Sequence, residues 1–326
     1  LAQDDIPLNG HAFEARIYAE NPQEDFKPSP GTLHTVQFAT GCRIDTGVQS
    51  GDAVSPFYDP MVAKITTHGA DRMVALAQLI KGLDETLCTG IDNNIGFLSA
   101  LASDADFANG VFDTGLIARK QDALTQVNTP DVFDVAAGFL ALHETDMTAP
   151  RLGWGLWAQI RHPLNMIYDG EVLEGGIQFD GSQKLTITLD ETQTSYDDVS
   201  CLNDRVMARS SGTKHTAMIA TSGTTAYVKS SADQYEFHAV DPFTTGSAHT
   251  QNLDQVTSPM TGVVTVVHVA AGQTVETGAP LFAVEAMKME HVVTAEQDGV
   301  IETVLCAAAD AVDQGQLLVQ FVKTDT

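Results

Sequence analysis

Residues 262–285 read GVVTVVHVAAGQTVETGAPLFAVE, and residues 299–322 read GVIETVLCAAADAVDQGQLLVQFV. They align without a gap, with Gly262/Gly299, Val263/Val300, Val267/Val304, Ala270/Ala307, Ala271/Ala308, Val275/Val312, Gly278/Gly315 and Leu281/Leu318 identical. A long series of such units would signal a repeat array. Two copies of a strand-rich unit instead predict one small domain with internal two-fold pseudo-symmetry, each half supplying a sheet layer. The halves are joined through VEAMKMEHVV, residues 284–293, in which strand sequence runs into Ala286-Met287-Lys288-Met289 and out again. Lys288 therefore falls on a hairpin tip, where its amine is reachable by a modifying enzyme. Met287 and Met289 give it apolar, deformable flanks that two different enzymes could grip. The plain alternative is an ordinary exposed turn lysine.

Upstream of this domain, TTGSAHTQNLDQV at 244–256 has little apolar periodicity and reads as a flexible linker. Residues 121–243 begin with a helical stretch from Pro130 to Glu144, where Val132, Val135, Ala136, Phe139, Leu140 and Leu142 are available for packing. KLTITLD, RVMARS, TTAYVKS and YEFHAV follow as short alternating strands between the turn clusters DGSQ, SSGT and TSGT. That pattern predicts an antiparallel barrel or curled sheet with the helix packed against it.

Residues 1–120 mix strands and helices. HAFEARIYAE alternates, with Phe13, Ala15, Ile17 and Ala19 on one face and Glu14, Arg16, Tyr18 and Glu20 on the other. MVAKITTH reads as a second strand. Asp71 is placed to cap a helix with Val74, Leu76, Ala77, Ile80 and Leu83 inward, and a second helix is expected after Asp92 with Ile95, Leu98 and Leu101 inward.

Composition narrows the function classes. The 326 residues carry 43 acidic and 17 basic side chains, a net charge of −26, which disfavours nucleic-acid partners. No run of about 18 apolar residues suggests a membrane span. LAQDDIPLNG at the start has no signal-peptide pattern and reads as the middle of something larger. Cys42, Cys88, Cys201 and Cys306 are scattered without a CxxC pair, which favours a reducing compartment over a disulfide framework or structural zinc. No HExxH appears, and no metal site is expected on this chain.

SPMTG at 258–262 followed by EAMKMEH at 285–291 resembles the biotin carboxyl carrier domain of biotin-dependent carboxylases. The resemblance implies a flattened β-sandwich of the hammerhead type over 257–323, with Lys288 joined to biotin as an amide between Met287 and Met289. The lysine side chain plus the biotin valeryl arm would reach roughly 15 Å when extended, and amide formation would leave a neutral arm able to enter buried sites. GHAFEARIYAENP, FKPSPG, YDPMVAKI and the ADR that opens the helix resemble the C-terminal end of a biotin carboxylase of the ATP-grasp class. That resemblance implies that Arg16 sits in the carboxylase site, helping to hold bicarbonate and stabilising oxyanion character on the biotin ureido group. A guanidinium suits the role because it stays charged and donates two parallel hydrogen bonds. Asp59 is a further candidate there. Without the resemblance, Arg16 would be read as pairing with Glu14 or Glu20 on a polar strand face.

GWGLWAQIRHPLNM and EFHAVDPF resemble the linking domain of acyl-CoA carboxylase α subunits, whose helix and barrel dock on a carboxyltransferase β subunit. Trp154, Trp157 and Phe243 are candidate contacts. The ordered resemblances imply the C-terminal half of an acyl-CoA carboxylase α subunit; its EARIYAEN and MEH segments look closest to the methylcrotonoyl-CoA (leucine-degradation) branch, with geranyl-, propionyl- and acetyl-CoA relatives as alternatives. They imply use of ATP, Mg or Mn and bicarbonate through upstream residues, a large α6β6-type complex, and recognition by a biotin protein ligase. A bacterial cytoplasm or a mitochondrial matrix is the expected setting, and this segment alone is expected to be inactive. The competing readings are a lipoyl-type carrier, whose usual DKA flank is missing here, and a non-catalytic carrier and docking scaffold.

Overall fold

The computed structural model describes the chain except residues 1, 3–4, 146, 148–159, 182, 190, 203, 241–254, 287–288, 314 and 323–326; at Met289 it describes the backbone only. Three separate hydrophobic cores organise it.

The first core begins with β1 (His11–Tyr18), where the alternation in the sequence is obeyed: Ala15 and Ile17 are buried, and Glu14 and Arg16 face solvent. After β2 (Thr35–Gln37) and β3 (Arg43–Thr46), β4 (Met61–Gly69) pairs antiparallel with both β1 and β3, giving the sheet order β1-β4-β3. Helix α1 (Arg72–Asp84) packs on the inner face, its start fixed by the Asp71 side chain, which accepts from the Val74 amide at 2.9 Å. Its buried stripe is Ala75, Leu76, Leu79 and Leu83, while Val74 and Ala77 turn outward. Of the residues expected inward, Leu76 and Leu83 are buried and Ile80 packs partly buried against the core. Gly82 is also buried, and a Cβ there would lie 2.8 Å from the Cys42 sulfur. Glycine avoids that clash without moving the Cys42 side chain. Next come β5 (Leu87–Thr89), which pairs with β2, and α2 (Ile95–Ser103). In α2 the residues turned fully inward are Ile95, Phe97, Ser99 and Ala102, with Leu98 half-buried against the core.

The second core surrounds α3 (Val132–Leu142), shorter at both ends than the expected Pro130–Glu144. Asp131 and Asp134 close a reciprocal capping box at its start. Every residue from Phe133 to Ala141 is buried, as a helix apolar on all sides requires. The strands that enclose it run in chain order as β6 (Arg161–Pro163), β7 (Met166–Tyr168), β8 (Glu171–Leu173), β9 (Gly175–Phe179), β10 (Leu185–Leu189), β11 (Thr192–Leu202), β12 (Arg205–Ser210), β13 (Thr213–Ser222), β14 (Thr225–Ser230) and β15 (Asp233–Ala239). Consecutive strands from β9 to β15 pair antiparallel. β6 lies against β9 and β7 against β15, so the single stretch 161–168 bridges the two edges and closes a barrel. Asn165, with φ of 45°, turns the chain between them. The helix is therefore inside the barrel, where the sequence reading had set it alongside.

The barrel rests on the first body. His34 and Tyr227 meet at 3.0 Å, and Gln37 donates to Asp204. On the same face of β14 as Tyr227, Lys229 is only 2% exposed. Burial pulls its pKa down to about 8, partly offset by Asp84 and Asp233.

The third core lies between two four-stranded sheets. Their strands are β16 (Gln255–Thr257), β17 (Gly262–Val267), β18 (Thr274–Val275), β19 (Pro280–Ala286), β20 (Met289–Thr294), β21 (Gly299–Val304), β22 (Ala311–Val312) and β23 (Leu317–Phe321). The sheet orders are β16-β23-β21-β18 and β20-β19-β17-β22. Each half lends its short strand to the other: Val275 pairs with Gly299, and Val312 with Gly262. Equivalent positions carry the core, Val264 with Ile301, Val275 with Val312, Leu281 with Leu318 and Val284 with Phe321, all buried. Of the segment expected as linker, Gln255 and Val256 already lie in β16, and 244–254 fall outside the described residues.

Candidate functional site

Two places carry the sequence-derived candidates. The first is the hairpin of β19 and β20. Its register pairs Val284 with His291, Glu285 with Glu290 and Ala286 with Met289. Positions 287 and 288 are thus the two residues between the paired strand ends. Met287, Lys288 and the Met289 side chain lie outside the described residues. Val284 and Ala286 point into the core, while Glu285 and Glu290 face solvent, and Glu290 accepts from the Thr265 hydroxyl at 2.6 Å. The apolar strand residues anchor the hairpin to the sandwich, and the exposed carboxylates keep its sides in water.

The second place is the outer face of the β1-β4-β3 sheet. Arg16 has its side chain 59% exposed and pairs with Glu14 at 3.4 Å. Its pKa is raised still further above the ordinary value, first by the Tyr18 hydroxyl and then by Glu14, so it carries its charge under all working conditions. The ion pair expected of a polar strand face is therefore present, with Glu14 as the partner. It leaves most of the guanidinium open to a ligand.

The backbone beneath Arg16 is held by a residue that sequence reading passed over. Asn94, 4% exposed, accepts from the Tyr18 amide at 2.9 Å and donates to the Arg16 carbonyl and to Glu20 Oε1, each at 3.2 Å. Asn94 stands at the start of α2 without capping that helix. It falls just before the apolar α2, and nothing local in the sequence points to β1.

Asp59 turns its carboxylate back to accept from the Met61 amide at 2.9 Å, where β4 begins. Its neighbours Phe57 and Tyr58 are 70% and 80% exposed, and Met61 pairs with Tyr18 at the end of β1. Among the described residues no cluster of His, Cys, Asp or Glu could hold a metal ion, and no helix is long and apolar enough to cross a membrane. Trp154, Trp157 and Phe243 lie outside the described residues.

Residues 14–119 match the biotin carboxylase C-terminal domain family, and residues 254–321 match the biotin-requiring enzyme family. A mitochondrial methylcrotonoyl-CoA carboxylase subunit alpha from Oryza sativa subsp. japonica is 30% identical over 98% of this chain and 50% of its own length. The subunit of the same name from Dictyostelium discoideum is 31% identical over 93% and 47%. The mitochondrial propionyl-CoA carboxylase alpha chain of Sus scrofa is 28% identical over 98% and 47%. The chain spans about half the length of the curated relatives it matches.

Proposed function

We propose, for a chain that joins a biotin carboxylase C-terminal domain to a domain of biotin-requiring enzymes, that it is the biotin-carrying part of an acyl-CoA carboxylase α subunit. Lys288 is the attachment residue and Arg16 belongs to the site where the carried group is loaded. The observation that carries this reading is the hairpin register, which leaves Lys288 between the paired ends Ala286 and Met289 of a duplicated sandwich.

Biotin, when bound, supplies a ureido nitrogen that takes up and gives up a carboxyl group. The chain's own residues do the rest. Arg16 presents a permanently charged fork from a strand whose backbone Asn94 pins. Met287 and Met289 flank the arm with surfaces that a ligase and two active sites could each grip. The arm cannot bridge two separate sites alone, so the whole carrier domain moves. The barrel, seated on the first body through His34, Gln37, Tyr227 and Lys229, stays with it.

The relatives at 30–31% identity favour 3-methylcrotonoyl-CoA as the acyl substrate, with propionyl-CoA second. ATP, a divalent metal and bicarbonate serve the loading step, and a carboxyltransferase β subunit binds the acyl-CoA. Placing the CoA polyanion on another chain also suits a net charge of −26. The setting is a mitochondrial matrix or a bacterial cytoplasm.

Intact mass of the peptide containing Lys288, with Lys288→Arg as control, tests the reading. A biotin-sized addition lost in the control is expected. A lipoyl-sized addition would move the chain to the lipoyl carriers, and an unmodified lysine in biotin-replete cells would remove the carrier role.

A further inference from the structure

The outer face of the β1-β4-β3 sheet sets two cations directly opposite each other. The register runs Glu14–Thr66–Arg43 in one cross-strand row and Arg16–Lys64–Asp45 in the next. Successive residues of a strand alternate faces, so these two rows share the face on which Arg16 is exposed. Each arginine takes the carboxylate of its own strand: Arg16 pairs with Glu14 at 3.4 Å and Arg43 with Asp45 at 3.1 Å. Lys64 is left over. Among the described residues no carboxylate lies within 4.0 Å of its amine, although Asp45 is its cross-strand neighbour. It is half-buried and stands cross-strand from Arg16 on the same sheet face.

Like charges facing each other across a ladder are destabilising. In a chain with 17 basic and 43 acidic residues, such a pair runs against the general surplus of negative charge. A bound anion between the two side chains reverses the sign of that contact. The chemistry is complementary: Arg16 offers a planar fork that matches two oxygens, and Lys64 a compact point charge for a third.

We propose that Lys64 and Arg16 together hold one small oxyanion, a planar carboxylate-type ion such as bicarbonate or else a phosphate, on this sheet face. The inference rests on the functional reading above and adds Lys64 to it as an anion-binding residue. Partial burial of Lys64 strengthens the attraction relative to a fully solvated amine.

The test uses the assembled carboxylase with Lys64→Gln and Lys64→Arg. Lys64→Gln is expected to raise the KM for bicarbonate about tenfold while leaving the KM for ATP within about twofold. Lys64→Arg is expected to recover most of the loss. A second arm needs no turnover: inorganic phosphate and bicarbonate are titrated separately against the thermal midpoint. Both should raise the wild-type midpoint if the site accepts any small oxyanion, and bicarbonate alone if it selects a planar one. Neither should act on Lys64→Gln. Equal responses of wild type and Lys64→Gln to both anions would overturn the proposal, as would a parallel rise in both KM values. A wild-type enzyme without biotin on Lys288 defeats the functional reading only, since the midpoint arm still decides the anion pair.

Discussion

The side-chain amide of Asn94 donates to the main-chain carbonyl of Arg16 at 3.2 Å and, through its oxygen, accepts from the Tyr18 amide at 2.9 Å. One buried side chain thus completes the hydrogen bonding of β1 on either side of its bulge at Ile17/Tyr18 and couples α2 to the strand that presents Arg16. Asn94→Ala leaves a buried donor and acceptor of β1 unpaired and should cost about 2–3 kcal/mol of stability. Asn94→Asp keeps the acceptor, loses both donor contacts and faces Glu20, so it should fall at least as far. Denaturant unfolding with near-ultraviolet detection measures both, and an unchanged midpoint in Asn94→Ala would show that the clamp contributes nothing.

Arg16→Ala should separate chemistry from folding. The side chain is mostly exposed and its pair with Glu14 is a surface pair, so the melting temperature should stay within about 1 °C. Biotin loading by the assembled enzyme should drop by roughly a hundredfold or more. Arg16→Lys should recover only part of it, since one ammonium cannot reproduce the fork. Loading that survives Arg16→Ala intact would make the first body a scaffold only.

Gly138 sits in the middle of the buried helix, and a Cβ there would lie 2.6 Å from the ring of Phe237, itself 0% exposed. Alanine would gain about 1 kcal/mol in helix propensity but force a shift in a filled barrel at a cost of about 1–3 kcal/mol. A net loss is expected for Gly138→Ala and a much larger one for Gly138→Leu, read as lowered thermal midpoints. A more stable Gly138→Ala would show that the ring has room to move.

Lys229 gives the barrel a pH signature. Its folded pKa is down to about 8 from 10.5, so between those values the unfolded chain binds more protons than the folded one. Stability must then rise with pH through that window. The penalty is fully present below about pH 8 and is relieved by about 3 kcal/mol by pH 10.5. In Lys229→Met that rise should vanish, so wild type should gain stability steadily relative to the variant from pH 7.5 to about 10. A constant difference across that range would mean that Lys229 is solvated and paired as at a surface.

Much of this molecule is legible along the chain because the relevant signals are local. The matched pairs Val275/Val312 and Leu281/Leu318 announce the duplicated sandwich, and the same positions fill its core. The alternation of HAFEARIY places Arg16 outward and Ile17 inward, as found. Strand sequence on either side of AMKM announces the hairpin, and the pairing of Ala286 with Met289 closes it.

What lay beyond reach depends on pairings between distant segments. Lys64 reads as one more polar strand residue until β4 is laid against β1 and sets it opposite Arg16. Lys229 alternates like a solvent-facing residue, and Val228 beside it is the expected core residue. Only the docking of the barrel on Asp84 and Cys88 buries both faces of β14. Asn94 serves a strand 76 residues earlier, which nothing around it in the sequence announces. Periodicity and motif therefore determined which residues face out, which face in and where the duplicated domain turns. Burial and electrostatic neighbours are set by surfaces meeting across the fold, and those only the tertiary structure decided.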